Sequence, residues 1–186
     1  MRVEALQKSY GGQEVLSGVS FTAEAGVTAI MAPSGWGKTT LLRILLGLEA
    51  ADGGAIYDAP QRWSAVFQED RLLPCLTAME NLRFALGPGL DEEKARALLD
   101  RLGLGGEGDK AAADYSGGMK RRLALARAIL ANSDAMALDE PFTGLDEENR
   151  SVCLGAIREA AKEKMVLLVT HDAADAAALN AKIIRL

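Results

Sequence analysis

The sequence is short of cysteine, proline, aromatic residues and histidine, and it carries no surplus of positive charge. Its two cysteines, Cys75 and Cys153, form no close pair and no metal-ligand spacing, which excludes a disulfide framework and a cysteine-held metal centre. Cys153 shares a helical face with Ile157 and Ala160 and reads as a small core hydrophobe. A net charge of −5 gives no sign of a nucleic-acid-binding surface, so no nucleic-acid partner is expected. No apolar run approaches the roughly 20 residues that span a bilayer. Met1 to Tyr10 lacks the apolar stretch of a signal peptide, and a cytoplasmic protein is expected. There is no internal repeat, low-complexity segment or linker. At 186 residues, 49% of them apolar, the chain is long enough for one domain with a real core.

What the sequence does have is concentrated in Ala32-Pro33-Ser34-Gly35-Trp36-Gly37-Lys38-Thr39-Thr40. The β-branched run Val27–Met31 before it reads as a buried strand, and Leu41–Leu46 after it reads as a helix closing at Gly47. A strand, a glycine-containing loop and a helix start make a phosphate cradle. Loop N–H groups point inward, the helix N-terminus favours anions, and Lys38 adds a mobile charge. The hydroxyl of Thr39 follows the lysine, where a magnesium ligand belongs. Ala32 stands where the pattern G-x-x-x-x-G-K-[ST] has its first glycine, so a slightly different turn is expected.

Short strands are predicted at Val3–Lys8, Val15–Thr22, Ala55–Tyr57 and Trp63–Phe67, with turns at Gly11-Gly12 and Ala51–Gly54. Tyr10, beside the first turn, is either an edge-strand residue or a platform for a flat base. Helical spacing then dominates to about residue 131, with Ala95, Leu98, Leu99 and Leu102 on one face. Gly103–Gly108 fits G-x-G-x-x-G but follows a helix instead of a strand, so it reads as a helix cap and connection. Ser116 is a good N-cap for the next helix, and the N–H groups after it form a second potential anion site. Lys120, Arg121 and Arg122 read as a solvated basic patch. The strand Ala135–Leu138 ends at Asp139-Glu140, where a metal ligand and a water-activating base would sit in an α/β sheet. A further strand, Met165–Val169, ends near the only histidine, His171, and a helix at Ala173–Leu179 leads to a last strand at Lys182–Leu186.

In order and spacing these motifs resemble those of the ATP-binding cassette (ABC) ATPases. The phosphate loop matches at Ser34–Thr40, the signature at Tyr115–Met119, the acidic pair and its proline at Asp139-Glu140-Pro141, and the switch histidine at His171. The loop contacting a second subunit matches at Gly144-Leu145-Asp146, the inter-lobe glutamine at Gln68 and the base-stacking aromatic at Tyr10. Val66–Pro74 with Leu76–Asn81 looks more narrowly like the ATPases of importers for nitrate, sulfonates, taurine and thiamine precursors.

The resemblance implies an α/β fold: a P-loop NTPase (RecA-like) core with an antiparallel β edge and an inserted helical subdomain over about 72–131, all in one domain, 1–186. It implies ATP and Mg2+ as ligands. Tyr10 and Val15 would hold adenine; Ser34, Gly35, Trp36, Gly37, Lys38, Thr39 and Thr40 would hold phosphates; Thr39, Gln68 and Asp139 would hold magnesium. Glu140 would polarise water, with His171 at the γ-phosphate and Gln68 beside them as the third catalytic residue. Ser116, Gly117 and Gly118 of a second subunit would cap the nucleotide in a homodimer or paired ATPase subunits; Met119 there departs from the family's glutamine. Transmembrane permease subunits are implied partners, with an extracytoplasmic solute-binding protein acting through them and the ATPase peripheral on the inner face of the membrane. Leu72, Leu73, Leu76 and Leu82 form the apolar cluster expected to dock the permease.

Two other classes remain open. A soluble ABC protein of translation or DNA repair usually has tandem cassettes or long coiled-coil insertions, which this sequence lacks. A non-hydrolysing nucleotide-binding regulator would be favoured by loss of Glu140 or His171, and both are present. A kinase-like P-loop enzyme would leave Ser116–Gly118 unexplained. No regulatory domain is expected after His171.

Overall fold

The computed structural model describes residues 1–33 and 35–186; Ser34, one of the expected phosphate ligands, lies outside the described residues. Strands β1 (Arg2–Tyr10) and β2 (Gln13–Thr22) form an antiparallel hairpin paired up to Tyr10–Gln13. Its two loop residues, Gly11 and Gly12, both have positive φ, as this hairpin turn requires. Two further strands, β3 (Val27–Met31) and β4 (Gly53–Tyr57), go to different sheets: β4 lies on the other side of β1, giving the order β2-β1-β4. Gly53 and Gly54, expected in a turn, belong to β4. A Cβ on Gly54 would sit 2.5 Å from the carbonyl oxygens of Glu4 and Ala5, so the absence of a side chain is what lets the strand approach the irregular part of β1.

The second sheet is parallel. It joins β3 to β5 (Trp63–Val66), β6 (Ala135–Asp139), β7 (Met165–Val169) and β8 (Lys182–Arg185), in the order β5-β6-β7-β3-β8. Both faces of its central strands are covered, which explains their unbroken apolar sequences. Ala137, Leu167, Val169 and Ile30 pack on α1 (Lys38–Leu45) through Leu41, Leu42, Ile44 and Leu45. Met136, Leu138, Val166 and Leu168 face the opposite side, which is closed by helices from later in the chain.

Those helices are α2 (Ala78–Leu86), α3 (Glu92–Arg101), α4 (Gly117–Leu130) and α5 (Glu147–Ala160), followed by the short α6 (Ala173–Ala178). Each of α2 to α6 starts on a side-chain cap: Thr77 with Glu80, Asp91, Ser116, Asp146 and Asp172. Ala95, Leu99 and Leu102 are buried as the periodicity predicts. Gly103 reverses the chain after α3 in a left-handed conformation, and Gly105 lies so close to Asp100 that a Cβ would meet its Oδ1 at 1.7 Å. The glycine cluster is therefore a helix cap, not a dinucleotide loop. Cys153 is fully buried, and burial pushes its thiol up to about 11, as suits an inert core residue.

Two expectations are corrected. Arg121 and Arg122 are not solvated; both are buried, and their guanidinium groups donate to backbone carbonyls of Phe67, Gln68, Leu102 and Gly118. Leu82 is fully buried between α2 and its neighbours, so it belongs to the core and not to an exposed docking cluster. The apolar side chain that α2 does present to solvent is Phe84, 73% exposed.

Candidate functional site

In an open parallel sheet, the carboxyl ends of adjacent strands make the natural crevice for a ligand. Here the ends of β5, β6, β7 and β3, which are successive neighbours, deliver Gln68, Asp139-Glu140, His171 and the glycine loop to one cavity of about 380 Å³. Tyr10, Val15, Gly35, Gly37, Lys38, Thr39 and Thr40 complete its lining.

The loop holds its shape by close packing on β2. Gly37 has φ 100° and leaves no room for a side chain: a Cβ would sit 2.7 Å from Val15 Cγ1. Helix α1 begins at Lys38, earlier than its apolar residues indicate, so Lys38, Thr39 and Thr40 form its first turn. Among the described residues no side chain caps this helix and its first turn holds no acid. Its leading N–H groups are thus available to an anion. Lys38 Nζ donates to the carbonyls of Ala32 (2.8 Å) and Pro33 (2.9 Å), holding the ammonium over the loop. Ala32 does not adopt positive φ, so an alanine in place of the first glycine adds no backbone strain.

Thr39 Oγ1 donates to Asp139 Oδ2 at 2.8 Å, tying α1 to the end of β6. Asp139 is 1% exposed, and its other carboxylate oxygen, Oδ1, is buried without a hydrogen-bond partner among the described residues. Burial, first among several influences, raises its pKa; the Thr39 hydrogen bond opposes the rise. A buried carboxylate with one orphaned oxygen beside a hydroxyl has the chemistry of a hard-cation ligand set. Among the described residues no three His, Cys, Asp or Glu side chains cluster as a metal site.

Glu140 takes φ 50°, a left-handed conformation that is uncommon for a side-chain-bearing residue, while its N–H donates to Val169 O at 2.9 Å. The turn aims its carboxylate along the cavity wall, where both oxygens lie 3.0 Å from His171 Nδ1. His171 is exposed. Its pKa is raised above 6.5 by the Glu140 hydrogen bond and then by the Glu140 charge, with slight desolvation opposing. A raised histidine stabilises the fold fully below its unfolded value, and that contribution disappears as pH climbs through the folded value. Since His171 is the chain's single histidine, its imidazole proton signal is unambiguous in an NMR titration. Its midpoint is expected above 6.5 in the parent and close to about 6.5 in Glu140→Gln. Equal midpoints in the two proteins would disprove the pairing.

Tyr10 stands at the cavity's edge, 45% exposed; its hydroxyl donates to Glu49 and the Lys8 ammonium lies 5.3 Å from its ring centre. Trp36 does not line the cavity but packs, half-buried, against the core beneath α1. Ser116, Gly117 and Gly118 are not brought to it either. They line a second cavity of about 430 Å³ with Asp70, Arg121, Arg122, Thr143–Asp146 and Asn149. There Ser116 Oγ accepts from Met119 N at 3.2 Å, and Asp146 accepts from Asn149 N at 2.8 Å, so both side chains serve their own helices. Sequence reasoning missed Phe84 and the buried arginines of α4. Phe84 could have been found by its spacing, two residues beyond the core position Leu82 and hence off the buried face.

Comparisons with known proteins agree with this geometry. The family model for ABC transporters matches residues 16–143. An aliphatic sulfonates import ATP-binding protein of Paraburkholderia xenovorans is 40% identical over 185 residues, covering 98% of this chain and 74% of its own. One from Pseudomonas savastanoi pv. phaseolicola is 33% identical over 187 residues, covering 99% and 79%. Among solved structures, an ATP-binding subunit of an ABC transporter superposes with TM-score 0.89 at 27% identity, over 100% of this chain and 85% of that one. A dimeric bacterial ABC transporter cassette gives 0.86 at 26%, over 100% and 93%. With the matched segment spanning the phosphate loop, the capped α4 and the acidic strand end, the chain belongs to the ABC transporter family, as an ATP-binding and ATP-hydrolysing subunit.

Proposed function

We propose that this ATPase drives import of a small organic anion, an alkanesulfonate or close analogue, through a separate membrane permease on whose inner face it sits. The observation that carries the reading is the convergence of Lys38, Thr39, Asp139, Glu140 and His171 on one cavity, in a chain whose relatives are sulfonate-import ATPases. Among the described residues no helix is long and apolar enough to cross a membrane. An extracytoplasmic binding protein would deliver the solute to the permease. We take residues 1–186 as one ATP-binding domain, with the helical subdomain over about 72–131 facing the permease.

Within the cavity, Tyr10 and Val15 would flank adenine, and Ser34 to Thr40 with the start of α1 would hold the phosphates. Thr39 and Asp139, whose orphaned oxygen fits the role, would hold Mg2+ together with Gln68, directly or through water. Bound there, the ion would offset negative charge on the β- and γ-phosphates. Glu140 would accept a hydrogen bond from the attacking water, align it with the γ-phosphorus and take its proton as the new P–O bond forms; the bond to the bridging oxygen breaks and ADP leaves with that electron pair. His171, held by Glu140, donates from its other nitrogen toward a γ-phosphate oxygen. This is catalysis by positioning and charge, without a covalent intermediate. The second cavity, with Ser116–Gly118, would close over the nucleotide of a paired subunit.

The docking surface supplies the test. Phe84→Glu and Leu73→Glu change residues outside the ATP cavity; Phe84 is largely exposed and Leu73 half-buried. A change at the exposed Phe84 alters stability by about 0.5 kcal/mol or less, and a thermal melt of Leu73→Glu checks that this variant folds. Both variants should hydrolyse ATP in isolation like the parent, yet lose most ATP-dependent alkanesulfonate uptake in vesicles carrying the permease. Parent-level uptake by the double variant would place the docking surface elsewhere.

A further inference from the structure

The segment from Phe67 to Leu73 is neither helix nor strand, and its carbonyls have no ladder to join. Two arginines of α4 satisfy four of them instead. Arg121 Nη1 donates to Phe67 O at 2.6 Å and its Nη2 to Gln68 O at 2.7 Å, while Nη1 also lies 3.2 Å from Asp70 Oδ1. Six residues on, Arg127 donates to Arg71 O at 2.7 Å and Asp70 O at 2.9 Å. The Arg121 side chain is only 9% exposed, so this fork is a built contact and not a surface ion pair.

The contact joins the two cavities. Gln68 lines the ATP cavity, while Arg121 and Asp70 line the second one beside Ser116–Gly118. Arg121 stands on the same rigid helix as Gly117 and Gly118, less than two turns away. Any shift of that helix start therefore moves the backbone that carries Gln68. We propose that Arg121 is a positioning residue for ATP hydrolysis: its guanidinium fork locks the Gln68 backbone to the helix that begins at Ser116, setting where the Gln68 side chain enters the ATP cavity. This rests on the reading of Gln68 as a ligand of the magnesium site.

A purely structural arginine would affect stability and nothing else, so the test is a double-mutant cycle in the steady-state hydrolysis of Mg-ATP by the isolated protein. Arg121→Gln keeps one amide donor and loses the fork; Arg121→Lys keeps the charge but reaches one carbonyl at a time. Arg121→Gln should lower kcat about tenfold with KM changed by no more than about twofold, and Arg121→Lys about threefold. In a Gln68→Ala background the same substitutions should change kcat by less than about twofold, while the shift in thermal midpoint is the same in both backgrounds. Should Arg121→Gln fail to fold, the lysine variant carries the cycle alone. Equal losses of kcat with and without Gln68, or no loss at all, would overturn the proposal while leaving the role of Gln68 intact. A Gln68→Ala protein with the parent's kcat would overturn both.

Discussion

Lys38→Ala should weaken ATP binding by about 30-fold or more and leave the fold intact. The ammonium is the only lysine charge lining the cavity among the described residues, and it faces the loop where triphosphate oxygens must lie. Removing one charged partner from a desolvated pair costs about 2–5 kcal/mol. Each 1.4 kcal/mol is about tenfold in affinity, so a loss of about 30-fold is the lower limit. Stability responds differently. Lys38 is half-exposed and its partners are the carbonyls of Ala32 and Pro33, which water can satisfy once the side chain is gone. Calorimetric titration with ATP, next to a thermal melt, separates the two effects. Parent affinity in a folded Lys38→Ala protein would remove the phosphate-loop reading altogether.

Much of this site is legible in the sequence because it is assembled from strand ends, and a strand end is a local event. Val27–Met31 and Met165–Val169 have the predicted bounds, and Asp139, Glu140 and His171 follow apolar runs that can only be core strands. Helix starts are less visible. Threonines are poor helix formers, so Thr39 and Thr40 conceal the first turn of α1, whose apolar face begins only at Leu41. The arginines of α4 are hidden for a different reason. Lys120-Arg121-Arg122 looks like a charge run, and only the fold brings the carbonyls of Phe67 and Gln68 next to Arg121, across 54 and 53 residues of chain. Arg122 likewise finds Leu102 O from 20 residues away. Long-range satisfaction of backbone groups leaves no trace in local pattern. Neither does the left-handed Glu140, whose N–H still donates to Val169 O beyond the end of β6.

Glu140→Gln should stop hydrolysis while sparing ATP binding. The carboxylate lines the cavity and is held by His171, whereas the groups proposed to bind phosphate belong to the loop and α1. Loss of a positioned general base lowers a rate by about 10²–10⁴. The amide has the same shape, so the loop at φ 50° is not disturbed further. A hydrolysis-dead, ATP-loaded protein then reports on the second cavity. If Ser116–Gly118 closes over the nucleotide of a paired subunit, Glu140→Gln with ATP should scatter light as a dimer and without ATP as a monomer. On the proposed reading, Met119 in place of an amide-bearing residue would weaken that closure, so millimolar-scale ATP, corresponding to about −4 kcal/mol of binding, is the concentration to use. Adding Ser116→Arg sets a long cationic side chain where the partner's nucleotide must approach, and should return the protein to monomer with ATP still bound. The same change removes the cap on α4 and costs about 0.5–2 kcal/mol, so Ser116→Ala, which loses the cap without the bulk, is the control. Dimer in the alanine variant and monomer in the arginine variant assigns the effect to the interface. A Glu140→Gln protein that hydrolyses ATP at the parent's rate removes Glu140 as the base. One that is dead, saturated with ATP and still monomeric shows that the isolated subunit does not close, and that a permease holding two copies together is required to complete the site.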